Sequence, residues 1–106
     1  MEKTLLKKQI EAIKELSWYV EQKGEDVIIE GYSPLGENLY EELDGNNLVR
    51  ACKKLYENYD ADNHVELWIE HRGKNGVPSS IIDLCEDAKA IENMYYKLYQ
   101  KVLSVN

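Results

Sequence analysis

At 106 residues and 12.3 kDa the chain can build one hydrophobic core but not two, so a single domain over 1–106 is expected. Its formal charge of −7 is local: residues 25–70 carry twelve acids against Arg50, Lys53 and Lys54, a net −9, while 1–24 and 71–106 are each +1. This balance argues against direct nucleic-acid binding, which needs clustered Lys and Arg, and apolar runs as short as Val27-Ile28-Ile29 cannot span a membrane.

From Glu2 to Gln22, Leu6, Ile10, Ile13, Leu16 and Val20 recur at steps of three and four, which predicts an amphipathic helix ended by Lys23-Gly24. Met1-Glu2-Lys3-Thr4 leads straight into this pattern without the apolar stretch of a signal peptide, so a cytoplasmic protein with reduced thiols is expected. Asp26–Tyr32 and Asn38–Leu43 read as strands joined at Ser33-Pro34-Leu35-Gly36, a hairpin. Asp44-Gly45-Asn46-Asn47 supplies turn and capping residues for a second helix carrying Leu48, Cys52, Leu55 and Tyr59.

His64 to His71 alternates, placing Val65, Leu67 and Ile69 on one side and His64, Glu66, Trp68 and Glu70 on the other, which predicts a third strand. A loop from Arg72 to Pro78 follows. Ser80 and Asp83 then form a capping box for a long last helix with its seam at Ile81, Leu84, Ala88, Ile91, Tyr95, Leu98 and Val102. Cys85, Met94, Tyr99 and Leu103 widen that stripe, as a globular core requires. Cys52 and Cys85 both fall on apolar helix sides and are expected to pack as small hydrophobes. The expected order is helix, strand, strand, helix, strand, helix: an α+β fold whose three-stranded, mainly antiparallel sheet carries the helices.

With Val65, Leu67 and Ile69 turned inward, Trp68, Glu66 and Glu70 would share an outer sheet face with Tyr40, Glu42 and Glu30 from the hairpin. Carboxylates pair with Lys and Arg while Trp and Tyr anchor at small entropic cost, so this face is the expected docking surface for a basic protein partner. All ten aromatic side chains are Tyr or Trp, each with a polar handle suited to half-buried positions. Rows of carboxylates also suit a nucleic-acid mimic that occupies the basic groove of a nucleic-acid-binding enzyme. A small enzyme with a site near His64 or His71 is a further alternative, although no nucleophile with a matched base stands out.

Arg72 and Lys74, with Ser79 and Ser80 at a helix start, form a candidate anion site, for which ordinary capping by Ser79, Ser80 and Asp83 is the competing account. No metal or cofactor is expected: Cys52, His64, His71 and Cys85 lack zinc-ligand spacing, and Asp60-Ala61-Asp62-Asn63 continues with Val65 where a calcium loop needs glycine. Self-association through the remaining surface stays open.

His64-Val65-Glu66-Leu67-Trp68-Ile69-Glu70, then Gly73-Lys74-Asn75-Gly76-Val77-Pro78 and Asp83-Leu84-Cys85-Glu86-Asp87, resembles small acidic proteins of unknown function from gut bacteria and their mobile elements. There a strand leads into a G-K-N-G-x-P loop and a D-L-x-x-D helix. The resemblance covers about the last half of the chain and implies a host-range or element-borne accessory protein that binds another protein, with inhibition of a nucleic-acid-binding defence enzyme as the alternative it implies. It carries over no binding residue.

Overall fold

The computed structural model describes residues 2–72 and 81–105, with the side chains of Glu2, Lys3, His71, Arg72 and Ile81 outside that description. The elements run α1 (Glu2–Glu15), β1 (Tyr19–Lys23), β2 (Asp26–Tyr32), β3 (Asn38–Asp44), a 3-10 turn (Gly45–Asn47), α2 (Leu48–Asn58), α3 (Ala61–Arg72) and α4 (Ile81–Ser104). The fold is α+β, a three-stranded antiparallel sheet in the order β1-β2-β3 with helices packed against it. Two elements differ from the expected order.

The first helix stops at Glu15, seven residues before Gln22. Leu16 N–H donates to Ile13 O and Ser17 N–H to Lys14 O, both at 3.0 Å, and Ser17 turns the chain through the left-handed region at φ 69°. Tyr19–Lys23 then pairs with β2 from Tyr19↔Glu30 to Lys23↔Asp26. Leu16 and Val20 satisfy a helical stripe and a strand alternation equally, so periodicity could not separate them. Long-range packing decides: the central β-branched strand gains a partner on each side, and Trp18 lies over Gly31, where a Cβ would meet its ring at 2.7 Å. Lys23-Gly24 is therefore a hairpin turn, with Gly24 at φ 62° as the first residue of a two-residue loop.

The expected third strand, 64–71, is helical. Asp60 caps α3 by accepting from Asn63 N–H at 3.0 Å, and His64 N–H closes the first turn onto Asp60 O. Burial follows steps of three and four through Ala61, Val65, Trp68 and Ile69, while Leu67 is exposed. The alternation of Val65, Leu67 and Ile69 is thus incidental, and the sheet gains its third strand from 19–23 instead.

Two cores lie along α4. The larger joins Ile13, Trp18, Val27, Ile29, Leu39, Leu43, Leu48 and Cys52 to Ile91, Tyr95, Leu98 and Val102. The smaller joins Val65 and Trp68 of α3 to Leu84 and Ala88. A row of rings links them: Trp18 stacks on Tyr95 (6.3 Å between centroids), Tyr95 meets Tyr59 edge-on, Tyr59 meets His64 edge-on, and His64 stacks on Trp68 (5.7 Å). Asp87 of α4, 2% exposed, fixes the β2–β3 loop by accepting from Ser33 Oγ at 2.8 Å and Leu35 N–H at 2.9 Å. The expected seam of α4 is buried from Leu84 to Val102, but Cys85 is exposed rather than packed, because it sits one step outside the Leu84–Ala88 line.

Candidate functional site

Strand pairing sorts the sheet into two faces. Val27, Ile29 and Gly31 of β2 and Leu39 and Leu43 of β3 point into the helices, together with Val20 of β1. The opposite face is laid out in rows by the register: Tyr19, Glu30 and Tyr40; Glu21, Ile28 and Glu42; Lys23, Asp26 and Asp44; with Tyr32 beside Asn38 at one end. Rows recur every second residue, about 7 Å apart along the strands, and neighbours within a row lie about 5 Å apart.

No helix of the main core packs on this second face among the described residues, because the helix-facing side chains all belong to the other one. Tyr19, Tyr32 and Tyr40 stand 58%, 62% and 49% exposed, and Glu21, Asp26, Glu42 and Asp44 are exposed around them. Ile28, central in the array between Glu21 and Glu42, is buried although it shares the parity of the exposed residues. Asn38 Nδ2 donates to Glu30 Oε2 at 2.9 Å, which holds that carboxylate between Tyr19 and Tyr40. Local desolvation and then the carboxylates of Glu42, Glu21 and Glu30 hold the Tyr40 phenol above its ordinary pKa, and Glu42 also bonds it. Tyr40 therefore stays neutral and able to donate at every physiological pH.

The structure brings Tyr40, Glu42 and Glu30 onto one face and separates them from Trp68, Glu66 and Glu70. Those three lie on α3, outside the sheet. Trp68 is 6% exposed, packed with Val65, Leu84 and Ala88, while Glu66 and Glu70 project from the solvent side of the helix. An acidic face centred on Trp68 is thereby overturned: one helical turn puts Trp68 inside and its acidic neighbours outside. Tyr19, Glu21 and Tyr32 take the vacated places. Tyr19 and Glu21 fall inside the Glu2 to Gln22 stretch whose periodicity predicts a helix, which hides their place on a strand; the outward parity of Tyr32 with Glu30 is legible in the alternation of β2.

Around His64, the ring meets the Tyr59 hydroxyl at Nδ1, stacks on Trp68, and lies with Nε2 3.8 Å from Glu37 Oε1. These contacts tie the start of α3 to the hairpin loop. Burial, then the charges of Tyr95, Asp87, Glu37 and Glu92, push the Tyr59 phenol up, and burial pushes Tyr95 up to about 12. Glu41, turned inward on β3, is raised by burial and lines a groove of about 460 Å³ with Tyr59 and Tyr95. Cys52 is held as a neutral thiol, its pKa pushed up to about 12 by burial.

Among the described residues no group of three His, Cys, Asp or Glu is placed to hold a metal ion, and no helix is long and apolar enough to cross a membrane. The candidate anion site falls outside the described residues at Lys74, Ser79 and Ser80 and at the side chain of Arg72, as do the G-K-N-G-x-P loop and the side chain of His71. Comparison with protein-family models, curated proteins and solved structures gives no match.

Proposed function

We propose that the chain is a protein-interaction module whose open sheet face, built by Tyr19, Glu21, Glu30, Tyr32, Tyr40 and Glu42, docks on a basic protein surface. The observation that carries this reading is the placement of three exposed tyrosines among carboxylates on a sheet face that, among the described residues, no helix covers. Rigid strands present the rings with little entropy left to lose. The carboxylates supply the charge complement that steers a Lys- and Arg-rich partner and sets its register.

The test uses an Arg- and Lys-rich peptide titrated into isotopically labelled protein. Shifts should gather on 19–23, 26–32 and 38–44, and the double variant Glu21→Lys/Glu42→Lys should weaken binding at least about tenfold at low salt while keeping its melting temperature. Glu66→Lys/Glu70→Lys on α3 is the matched control and should change affinity far less. Equal losses in the two double variants would make the attraction one of bulk charge and defeat the reading. Displacement of duplex DNA from a basic groove, sensitive to the same sheet residues, would specify nucleic-acid mimicry as the use of this face.

A further inference from the structure

β1 and β3 are the edges of the sheet, and the phase of the ladder shows what β3 offers at its own. Ser33 N–H donates to Glu37 O at 3.0 Å and Gly45 N–H to Glu25 O at 2.9 Å, one on each side of the β2–β3 ladder. In an antiparallel pair bonded positions alternate with unbonded ones, so the bonded pairs between these two are Val27 with Leu43, Ile29 with Glu41 and Gly31 with Leu39. Tyr40 and Glu42 therefore direct their backbone N–H and C=O groups away from β2. Among the described residues β3 has no strand on that side to receive them.

Beside this edge runs the groove between β3 and α2. Glu41, half-buried, shares the inward parity of Leu39 and Leu43 and lines it. Its carboxylate forms no ion pair among the described residues, with Lys54 on the groove wall or with any other cation. Burial raises its pKa, the mark of a carboxylate that has lost water without gaining a counter-charge. On the other face the next residue, Glu42, stands exposed beside Tyr40. One strand thus holds neighbouring carboxylates on opposite sides of an open backbone edge.

Charge decides what can pair there. β3 contains Glu41, Glu42 and Asp44 and no basic residue, so the β3 edges of two copies laid together would set acids against acids. The β1 edge runs beside Lys7 and Lys14 of α1, which line a groove of about 570 Å³ with Val20 and Gln22, and a basic segment is repelled there. We infer that a basic segment of the partner adds to the β3 edge as a further strand, with two consecutive basic side chains, one reaching Glu41 in the groove and the next reaching Glu42 on the open face. Strand addition supplies affinity through the backbone, and the alternating side chains supply selectivity. The inference rests on the sheet-face reading and gives that face its mode of binding.

The test is an NMR titration with a peptide as long as β3, rich in Val and Thr around a central Arg-Arg pair. A second peptide of the same sequence is N-methylated at every residue but the two ends, which keeps its charge and removes its backbone donors. The parent peptide should slow exchange of the Tyr40 and Glu42 amides at least about tenfold at saturation, and the N-methylated peptide should bind at least about tenfold more weakly. Glu41→Gln should weaken the parent peptide at least about threefold with the melting temperature level or raised, whereas Glu57→Gln, the same charge change on α2, should leave affinity nearly unchanged. Equal affinity for the two peptides, with shifts still gathered on the sheet, overturns strand addition and leaves the docking face standing. Binding of neither peptide removes the docking face and strand addition together. Protection at Val20 and Gln22 in place of Tyr40 and Glu42, or unchanged affinity in Glu41→Gln, overturns the assignment to β3. Protection of Tyr40 and Glu42 that grows with protein concentration in the absence of peptide gives the edge to a second copy and overturns it as well.

Discussion

The two ends of α4 rest on different cores. From Ile91 to Val102 the helix is sealed against the inner face of the sheet and against α1 and α2, with Ile13, Val27, Ile29, Ile91, Leu98 and Val102 all fully buried. From Leu84 to Ala88 it meets chiefly α3, and the buried set there is Val65, Trp68, Leu84 and Ala88. One region draws on strands and helices alike; the other is chiefly a helix pair, tied to the sheet through the β2–β3 loop. Local opening is easiest where few apolar contacts must be broken, so the α3 end should open below the global unfolding free energy while the sheet end opens only with it.

The largest expected effect comes from Ile91→Ala, which leaves a cavity among strands and helices alike. It should cost about 2–5 kcal/mol in denaturant melts and raise amide exchange throughout the protein. Leu84→Ala removes similar hydrocarbon, but its exchange changes should be confined to α3 and the first turns of α4. Global loss of protection in Leu84→Ala would merge the two regions into one cooperative unit.

Asp87 is the strongest polar tie between them. Its carboxylate is buried at the α3 end of α4, and its two partners belong to the loop between β2 and β3. Ser33 is itself braced there, its Oγ accepting from Glu37 N–H at 3.0 Å. Asp87→Ala strands a hydroxyl and a backbone N–H at once and should cost about 3 kcal/mol, whereas Ser33→Ala spares the Leu35 bond and should cost about half that. A double-mutant cycle should return a coupling above about 0.5 kcal/mol; strict additivity would mean that the loop does not transmit the clamp.

High pH probes the same junction. Tyr59 and Tyr95 have pKa values above the ordinary 10.0, and Cys52 lies above the ordinary 9.0, with burial the leading cause each time. The unfolded chain ionises first in every case. Their contribution is therefore fully present below about pH 9, and it is lost progressively as pH climbs toward 12, where folded Tyr95 and Cys52 titrate. Melting temperature should hold level from pH 8 to about 9 and then fall steadily toward pH 12, and Tyr95→Phe should flatten the part of the slope above pH 10. A slope unchanged by Tyr95→Phe would shift the alkaline sensitivity away from the aromatic row.

How far the sequence predicted these regions differs for the same physical reason. The hairpin, α2 and the burial of α4 from Leu84 onward were readable because a turn, a cap and a long periodic stripe all agreed there. At 16–23 and 60–72 the local signals conflicted. Leu16 and Val20 fit helix and strand alike, and only Trp18 seating on Gly31 resolves them. In α3 the alternation of Val65, Leu67 and Ile69 competed with a correct signal that was present, Asp60 three residues before Asn63 as an N-cap. His64 and Trp68, four apart and stacked, carried the helical spacing as well. The proposed docking face is half readable for this reason: Tyr40, Glu42 and Glu30 lie on the hairpin, where the signals agree, and Trp68, Glu66 and Glu70 on the segment where they do not.

The smallest expected effect isolates the corner that creates β1. Ser17 occupies the left-handed region at φ 69°, where a Cβ crowds its own carbonyl and an L-residue is strained by roughly 1 kcal/mol. Glycine removes that crowding but adds freedom to the unfolded chain, so Ser17→Gly should stabilise the protein by a net amount of about 0.5 kcal/mol. In a domain of this size that is a rise of a few degrees at most, roughly 2–4 °C in melting temperature. Ser17→Val, with a branched Cβ in the same corner, should move it the other way by more. Because the corner joins α1 to the sheet, both variants should shift exchange in α1 and β1 and leave α3 at its original level. A matching shift in α3 would show that the aromatic row from Trp18 to Trp68 couples the two cores more tightly than their separate packing implies.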